Sequence, residues 1–244
     1  MNNVSLILLE NAKLKKLEQY KLDEKSISEF KSKIKDVDSE TKENLGKELF
    51  EVISNKKKSS EVTEDFTNRV IELITNGANI EYKDEKKGNF SLLLCARKGF
   101  LEIAYLLLRA GANVNQANNY LTTTTMAAAR HGHKELLELL ILLGADINAK
   151  CYDGDNALMS AKRHGQQECF NILVHAQSFL THRNIVNESI LDLPGDITFN
   201  PNYIEDFSIS KTIQKTSKDD VTALIGEAEK KFNDLNVLEK KLIK

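Results

Sequence analysis

The chain has 244 residues, 41% of them hydrophobic and 29% charged, with two prolines and no tryptophan. That is enough apolar material for a core, but it is lean in aromatic anchors. A formal net charge of −2 gives no global electrostatic reason to bind nucleic acid, and no apolar run approaches the ~20 residues that a membrane span needs.

Residues 4–9 are apolar, but Glu10 closes the run, no basic residue precedes it and no small-residue cleavage site follows, so a secretory signal is not expected. Residues 4–22 read as a helix, with Val4, Ile7, Leu8, Leu14 and Leu17 at three- and four-residue spacings and lysines on the other face. A second helix is expected over 26–37. Ser26 stands as its cap, Glu29 three residues on completes a capping box, and Ile27, Phe30 and Ile34 form the stripe. These helices, spanning 1–44, are expected to cover the apolar end of whatever follows.

A third helix runs over about 40–54, with Leu45, Leu49, Phe50, Val52 and Ile53 apolar. The polar lysine-serine stretch 55–64 has no periodicity and reads as a loop. Next come Val70-Ile71-Glu72-Leu73-Ile74 and then Gly77-Ala78-Asn79-Ile80, a helix with a closing turn. The loop is therefore expected to be an insertion between the paired helices of one degenerate unit.

From there one pattern is written repeatedly. Gly99, Gly132 and Gly165 recur every 33 residues, and Gly111-Ala112-Asn113-Val114-Asn115 returns 33 later as Gly144-Ala145-Asp146-Ile147-Asn148. Each unit reads as a short helix (92–98 in the first copy), a glycine turn, a second helix (101–109) and a glycine that ends it. Helix pairs this short bury their apolar faces only by stacking, and a fixed period of this size means a solenoid. Gly77 and Gly111 are 34 apart, so a one-residue irregularity lies between those units.

These residues resemble the ankyrin repeat. The matching positions are Gly88, Ala96, Gly99, Leu106-Leu107-Leu108 and the Gly111 turn, then Ala128-Ala129, Gly132-His133, Leu139-Leu140 and the Gly144 turn. A third copy keeps Gly154, Leu158, Ala161, Gly165 and Ile172-Leu173-Val174 but has Gln177 in place of the closing glycine, as at the end of a stack. The resemblance implies an all-α fold: an ankyrin-repeat solenoid of about four repeats over 45–183, with regular units at 84–117, 118–150 and 151–179 and helical flanks at both ends. The family's Thr-Pro-Leu-His is replaced by Phe90-Ser91-Leu92-Leu93, Thr123-Thr124-Thr125-Met126 and Asn156-Ala157-Leu158-Met159. Thr123 and Asn156 remain good caps. With Leu93, Met126 and Met159 in place of histidine, the inner column is expected to be held by apolar packing.

Beyond 180 the repeat stops. Residues 184–193 suit one more helix before Pro194-Gly195, and 196–216 read as a loop or ordered tail. Val221, Ile225, Ala228, Phe232, Leu235 and Leu242 then space a terminal helix behind Asp219-Asp220, with Glu239 spoiling one position of the seam. Such a helix either folds back on its own chain or pairs as a coiled coil with another.

No catalytic motif is present. There is no Gly-x-Ser-x-Gly, no Walker-type loop and no dinucleotide turn, and the histidines and cysteines lack metal-site spacing. No enzyme activity, cofactor or metal is expected. Cys95, Cys151 and Cys169 are odd in number and read as reduced residues of a cytoplasmic protein.

What remains is surface. The ankyrin resemblance implies that partners touch the hairpin tips and the last turn of each first helix, on the concave side. Those positions include Lys86, Lys87, Tyr120, Tyr152 and Asp153 at the tips, and Arg97-Lys98, Arg130-His131 and Arg163-His164 at the helix ends. Three arginines 33 residues apart are expected to form a solvent-facing ladder suited to an extended acidic segment of a protein partner. Solvated or internally paired arginines are the alternative. A second reading of function places the activity in 196–244. Lysine-, asparagine- and isoleucine-rich composition is similar to low-GC bacterial chains, and ankyrin proteins of intracellular bacteria include host-directed effectors, which would place the chain in a host cytosol. The oligomeric state is left open.

Overall fold

The computed structural model describes residues 24–57 and 62–176, with Val186, Leu193 and Pro194. The helices expected at 4–22, 184–193 and 221–242, the tail 196–216 and the centre of the 55–64 loop lie outside the described residues.

Among the described residues there are nine α-helices and no strand, in the order α1 (Glu24–Lys31), α2 (Ser39–Asn55), α3 (Glu64–Thr75), α4 (Ser91–Lys98), α5 (Leu101–Ala110), α6 (Thr124–His131), α7 (Lys134–Leu142), α8 (Ala157–Arg163) and α9 (Gln167–His175). From α2 onward they pair as first and second helices. α2, α4, α6 and α8 stack in one column and α3, α5, α7 and α9 in the other, each helix packed on its partner and on the next in its own column. The fold is an all-α ankyrin-type solenoid.

Local chemistry sets the helix ends. Asp38, Thr63, Thr123 and Asn156 each accept a backbone N–H of the first turn with a side-chain oxygen, satisfying donors that a helix start leaves unpaired. Gly99 and Gly132 close α4 and α6 in the left-handed region. After α2, the first-column helices are short and largely buried: Leu92 to Ala96 in α4, Met126 to Ala129 in α6, and Leu158, Met159 and Ala161 in α8. Alanines at Ala96, Ala128, Ala129 and Ala161 leave room for close stacking, while Leu93, Met126 and Met159 fill the column with apolar volume. One continuous core runs from Leu49 to Leu173 and also takes in Phe30 and Leu193.

Between units the chain forms hairpins, each pinned by backbone. Isolated bridges join Lys83 to Phe90 and Ala117 to Thr123. Adjacent tips are tied by Asn119 N–H to Lys87 O (3.0 Å) and Tyr152 N–H to Tyr120 O (2.9 Å), so the tips are fixed to one another without the family's histidine. The first hairpin, Asp84 to Asn89, holds one residue more than its successors, which accounts for the 34-residue spacing.

The N-terminal flank departs from expectation. The helix expected at 26–37 is α1, which begins before Ser26 and ends at Lys31. Ser26 is therefore inside the helix, not its cap. The Ser32 hydroxyl donates to Glu29 O (2.8 Å), and the turns at Lys33 and Ile34 bond three residues back, so the helix closes there. α1 packs chiefly on α5, not over the open end of the stack. Phe30 is buried with the Arg109 guanidinium 4.9 Å from its ring centroid, and Arg109 Nη2 donates to Ser26 O. Lys35 N–H then donates to Thr75 O (2.8 Å). The segment 24–37 thus straps two consecutive second-column helices together.

Candidate partner-binding surface

The first-column helices α4, α6 and α8 end in basic residues, which suit the negative end of a helix dipole, and the three pairs differ in what they touch. Lys98 turns away from the groove: its Nζ donates to Ile53 O (3.1 Å), Ser54 O (2.7 Å) and Lys56 O (2.6 Å), closing the carbonyl end of α2. Arg97 is half-buried. Burial, then the nearby charge of Arg130, lower its pKa, and Asp84 opposes the shift. The expectation of a uniformly solvent-facing ladder is corrected at these positions.

Arg163 is corrected in the same way. Its Nη2 lies 3.0 Å from a carboxylate oxygen of Asp155, and its Nε donates to the same carboxylate at 3.1 Å. Asp155 is itself buried at the base of its hairpin.

Arg130 is the exposed member. Its Nε donates to His164 Nε2 at 3.0 Å, while His164 Nδ1 sits 2.9 Å from Ser160 O. A carbonyl only accepts, so the proton is on Nδ1, and the Nε2 lone pair faces the guanidinium. His164 is therefore a neutral acceptor. No carboxylate pairs with Arg130 among the described residues. Alongside it, His131 is stacked on His133 with centroids 6.3 Å apart. Partial burial, then the charges of His133, Arg130, Arg97 and His164, hold the His131 pKa below the usual imidazole value. His133 itself covers Gly99, where an added Cβ would lie 2.6 Å from the ring, so it is structural.

At the tips, Lys86 and Lys87 are exposed, and their backbone N–H groups donate to Asp84 Oδ1 at 2.9 and 2.8 Å. Burial pushes the Asp84 carboxyl up, but the N–H bonds from Lys87, Asn89 and Lys86 outweigh it and hold its pKa below the ordinary aspartate value. Asn118 plays the same part in the next hairpin, accepting from Tyr120 N–H and Thr122 N–H and donating to Asn89 Oδ1 (3.0 Å). Asn89 and Asn118 are buried framework, not contact surface.

Tyr120 (52% exposed) and Tyr152 (72%) project from adjacent tips. Together with Met126, Arg130, Arg163 and His164 they line a groove of about 750 Å³, with exposed Asp153 and Val186 at its edge. Of the residues expected at the site, this groove gathers Tyr120, Arg130, Tyr152, Asp153, Arg163 and His164, while Lys86 and Lys87 belong to the preceding tip.

The family model for "Ankyrin repeats (3 copies)" matches residues 62–151 and, overlapping, 92–184. The chain belongs to the ankyrin repeat family. No curated protein matches it. Its ankyrin repeats are a protein–protein interaction module, and no helix among the described residues is long and apolar enough to cross a membrane. Two of its cysteines, Cys95 and Cys169, are buried and Cys151 half-buried, none in a disulfide. Burial pushes both buried thiols up, that of Cys169 to about 12.

Two features of this ankyrin surface go beyond the sequence reading, a residue not singled out there and the specific pairing of a tip residue. Leu121 is 51% exposed and has φ 57° where the neighbouring hairpins place Gly88 and Gly154. The signal is a leucine two residues before a helix cap, the position glycine takes in the other copies. Asp155 is the other. It stands eight residues before Arg163, where Asn89 and Thr122 stand eight before Arg97 and Arg130, so of the three regular units the third alone has a carboxylate at that place.

Proposed function

We propose that this ankyrin protein is a non-enzymatic interaction module that holds an acidic segment of a protein partner on its concave face. Arg130 is the centre of the site. Arg97 adds positive charge and His131 an imidazole on one side, Tyr120 and Tyr152 supply contact area on the other, and Lys86, Lys87 and Asp153 form the rim. The observation that carries the reading is the exposed Arg130 guanidinium, bonded to an imidazole nitrogen rather than a carboxylate, beside two exposed tyrosines. Arginine and tyrosine are the types that most often anchor interfaces. Capture of a partner by the wild-type chain, repeated with Arg130→Glu, tests it: the variant loses the partner while melting as wild type. Retention of the partner by a folded variant removes the concave site.

A second reading assigns the activity to 196–244, as a pairing helix or a delivery signal of a bacterial effector. Val186 at the edge of the groove brings the chain beyond the repeats to the same face. Unpaired cysteines accord with a reducing cytosol, bacterial or host. A chain cut after Leu193 that still captures the partner favours the concave face. One that loses it, with the repeats folded, favours the C-terminal region.

A further inference from the structure

We infer that the Arg130–His164 pair is a proton-operated latch on this face: with His164 neutral, Arg130 is held by its own protein, and with His164 protonated both cations turn to a carboxylate of an acidic partner segment. The inference rests on the concave-face reading above and adds its regulation.

The geometry fixes the states. His164 Nδ1–H is committed to Ser160 O, so the next proton can enter only at Nε2, the atom that accepts from Arg130 Nε. Protonation there removes the acceptor and sets two positive groups in contact. The pair then separates or binds an anion between its members. A carboxylate satisfies both donors at once, and charge-assisted bonds of this kind are the strong ones. The neighbours do not supply that anion. From its own helix His164 faces Arg163, whose charge is matched by Asp155. From α6 it faces Arg130 and His131, with His133 stacked behind, and from α4 Arg97 lies next along the row. Asp153, exposed on the hairpin tip, is the remaining acid lining the groove. A proton at Nε2 would sit in contact with the Arg130 guanidinium, and a carboxylate bound between the two cations relieves that contact. Binding therefore takes up a proton.

The test uses the full chain and a fluorescent oligoglutamate peptide, whose side chains stay ionised above about pH 5.5. Anisotropy titrations run from about pH 8 to about pH 6, across the ordinary imidazole range, and calorimetry in buffers of different ionisation enthalpy counts protons. Affinity is expected to rise about tenfold as pH falls through the ordinary imidazole range, with net proton uptake. His164→Gln keeps an oxygen acceptor for Arg130 but takes no proton, so it binds weakly and with little pH dependence. His164→Lys binds tightly already at about pH 8. Asp153→Asn retains the wild-type pH dependence if the anion comes from the peptide.

Equal affinity across the range in the wild type, or an undiminished pH effect in His164→Gln, overturns the latch. If pH-independent binding is still abolished by Arg130→Glu, the acidic-partner reading stands without it. No binding of the peptide at any pH removes both. A single-stranded oligonucleotide run in parallel overturns the partner class if it binds with this pH dependence and the peptide does not.

Discussion

Arg163 and Asp155 form an ion pair inside the third regular repeat, 3.0 Å apart with Asp155 nearly buried. In the two preceding units Asn89 and Thr122 occupy the place of Asp155. The pair holds the hairpin to the end of α8, so its energy belongs to folding. Arg163→Ala, which removes the bonds the guanidinium donates to the carboxylate, is expected to cost about 1 to 3 kcal/mol in urea melts, with a smaller effect on partner affinity than Arg130→Ala.

Lys98 serves α2 rather than a partner. Its ammonium closes three carbonyls left open by the end of that helix, a placement favoured by both hydrogen bonding and the helix dipole. Lys98→Met keeps most of the stem and removes the donors. A loss of about 1 to 3 kcal/mol is expected, measured by chemical denaturation, with partner binding unchanged once the folded fraction is allowed for.

Leu121 pays in backbone strain for an exposed side chain at a position where glycine is at ease. Leu121→Gly is expected to raise stability by up to about 1 kcal/mol, the relief of left-handed strain offset by the greater entropy of glycine in the unfolded chain. The same substitution should weaken partner binding, because it removes an exposed apolar contact beside Tyr120. Thermal melts and titrations on one protein sample read both effects.

Asp84 organises the first hairpin as a carboxylate accepting backbone N–H groups. Its folded-state pKa is depressed, so its contribution is present in full above the ordinary aspartate value and is lost as pH falls through the folded one. The stability difference between wild type and Asp84→Ala, about 1 kcal/mol near neutral pH for a partly exposed group, should shrink on acidification toward about pH 3. A difference that grew with acid would contradict the assignment.

Much of the architecture was legible because it is local and periodic. Gly99 and Gly132 fix where two helices end, and Thr123 and Asn156 announce where two begin. Leu93, Met126 and Met159, departures from the family pattern, mark a column held by apolar contact. The strap of α1 was not legible, because Arg109 and Ser26 are separated by 83 positions and no spacing rule connects them. The capping-box pattern at Ser26 and Glu29 pointed to the wrong helix start for the same reason: burial of Phe30 against Arg109 outweighs a surface cap. At the candidate site the row of arginines was visible as a period, but their inequality was not. It depends on the residue eight positions earlier and, for Lys98, on carbonyls more than forty positions away.

The most direct test of the concave-face account is titration of the captured partner against Arg97→Glu, Arg130→Glu and Arg163→Glu, each shown to be folded, at low and high salt. Arg130→Glu is predicted to weaken binding most, by roughly tenfold or more. The wild-type affinity should fall as salt screens charges beyond about 8 Å, and the Arg130→Glu affinity should fall less. A folded Arg130→Glu protein that binds the partner as tightly as wild type at both salt concentrations would contradict it.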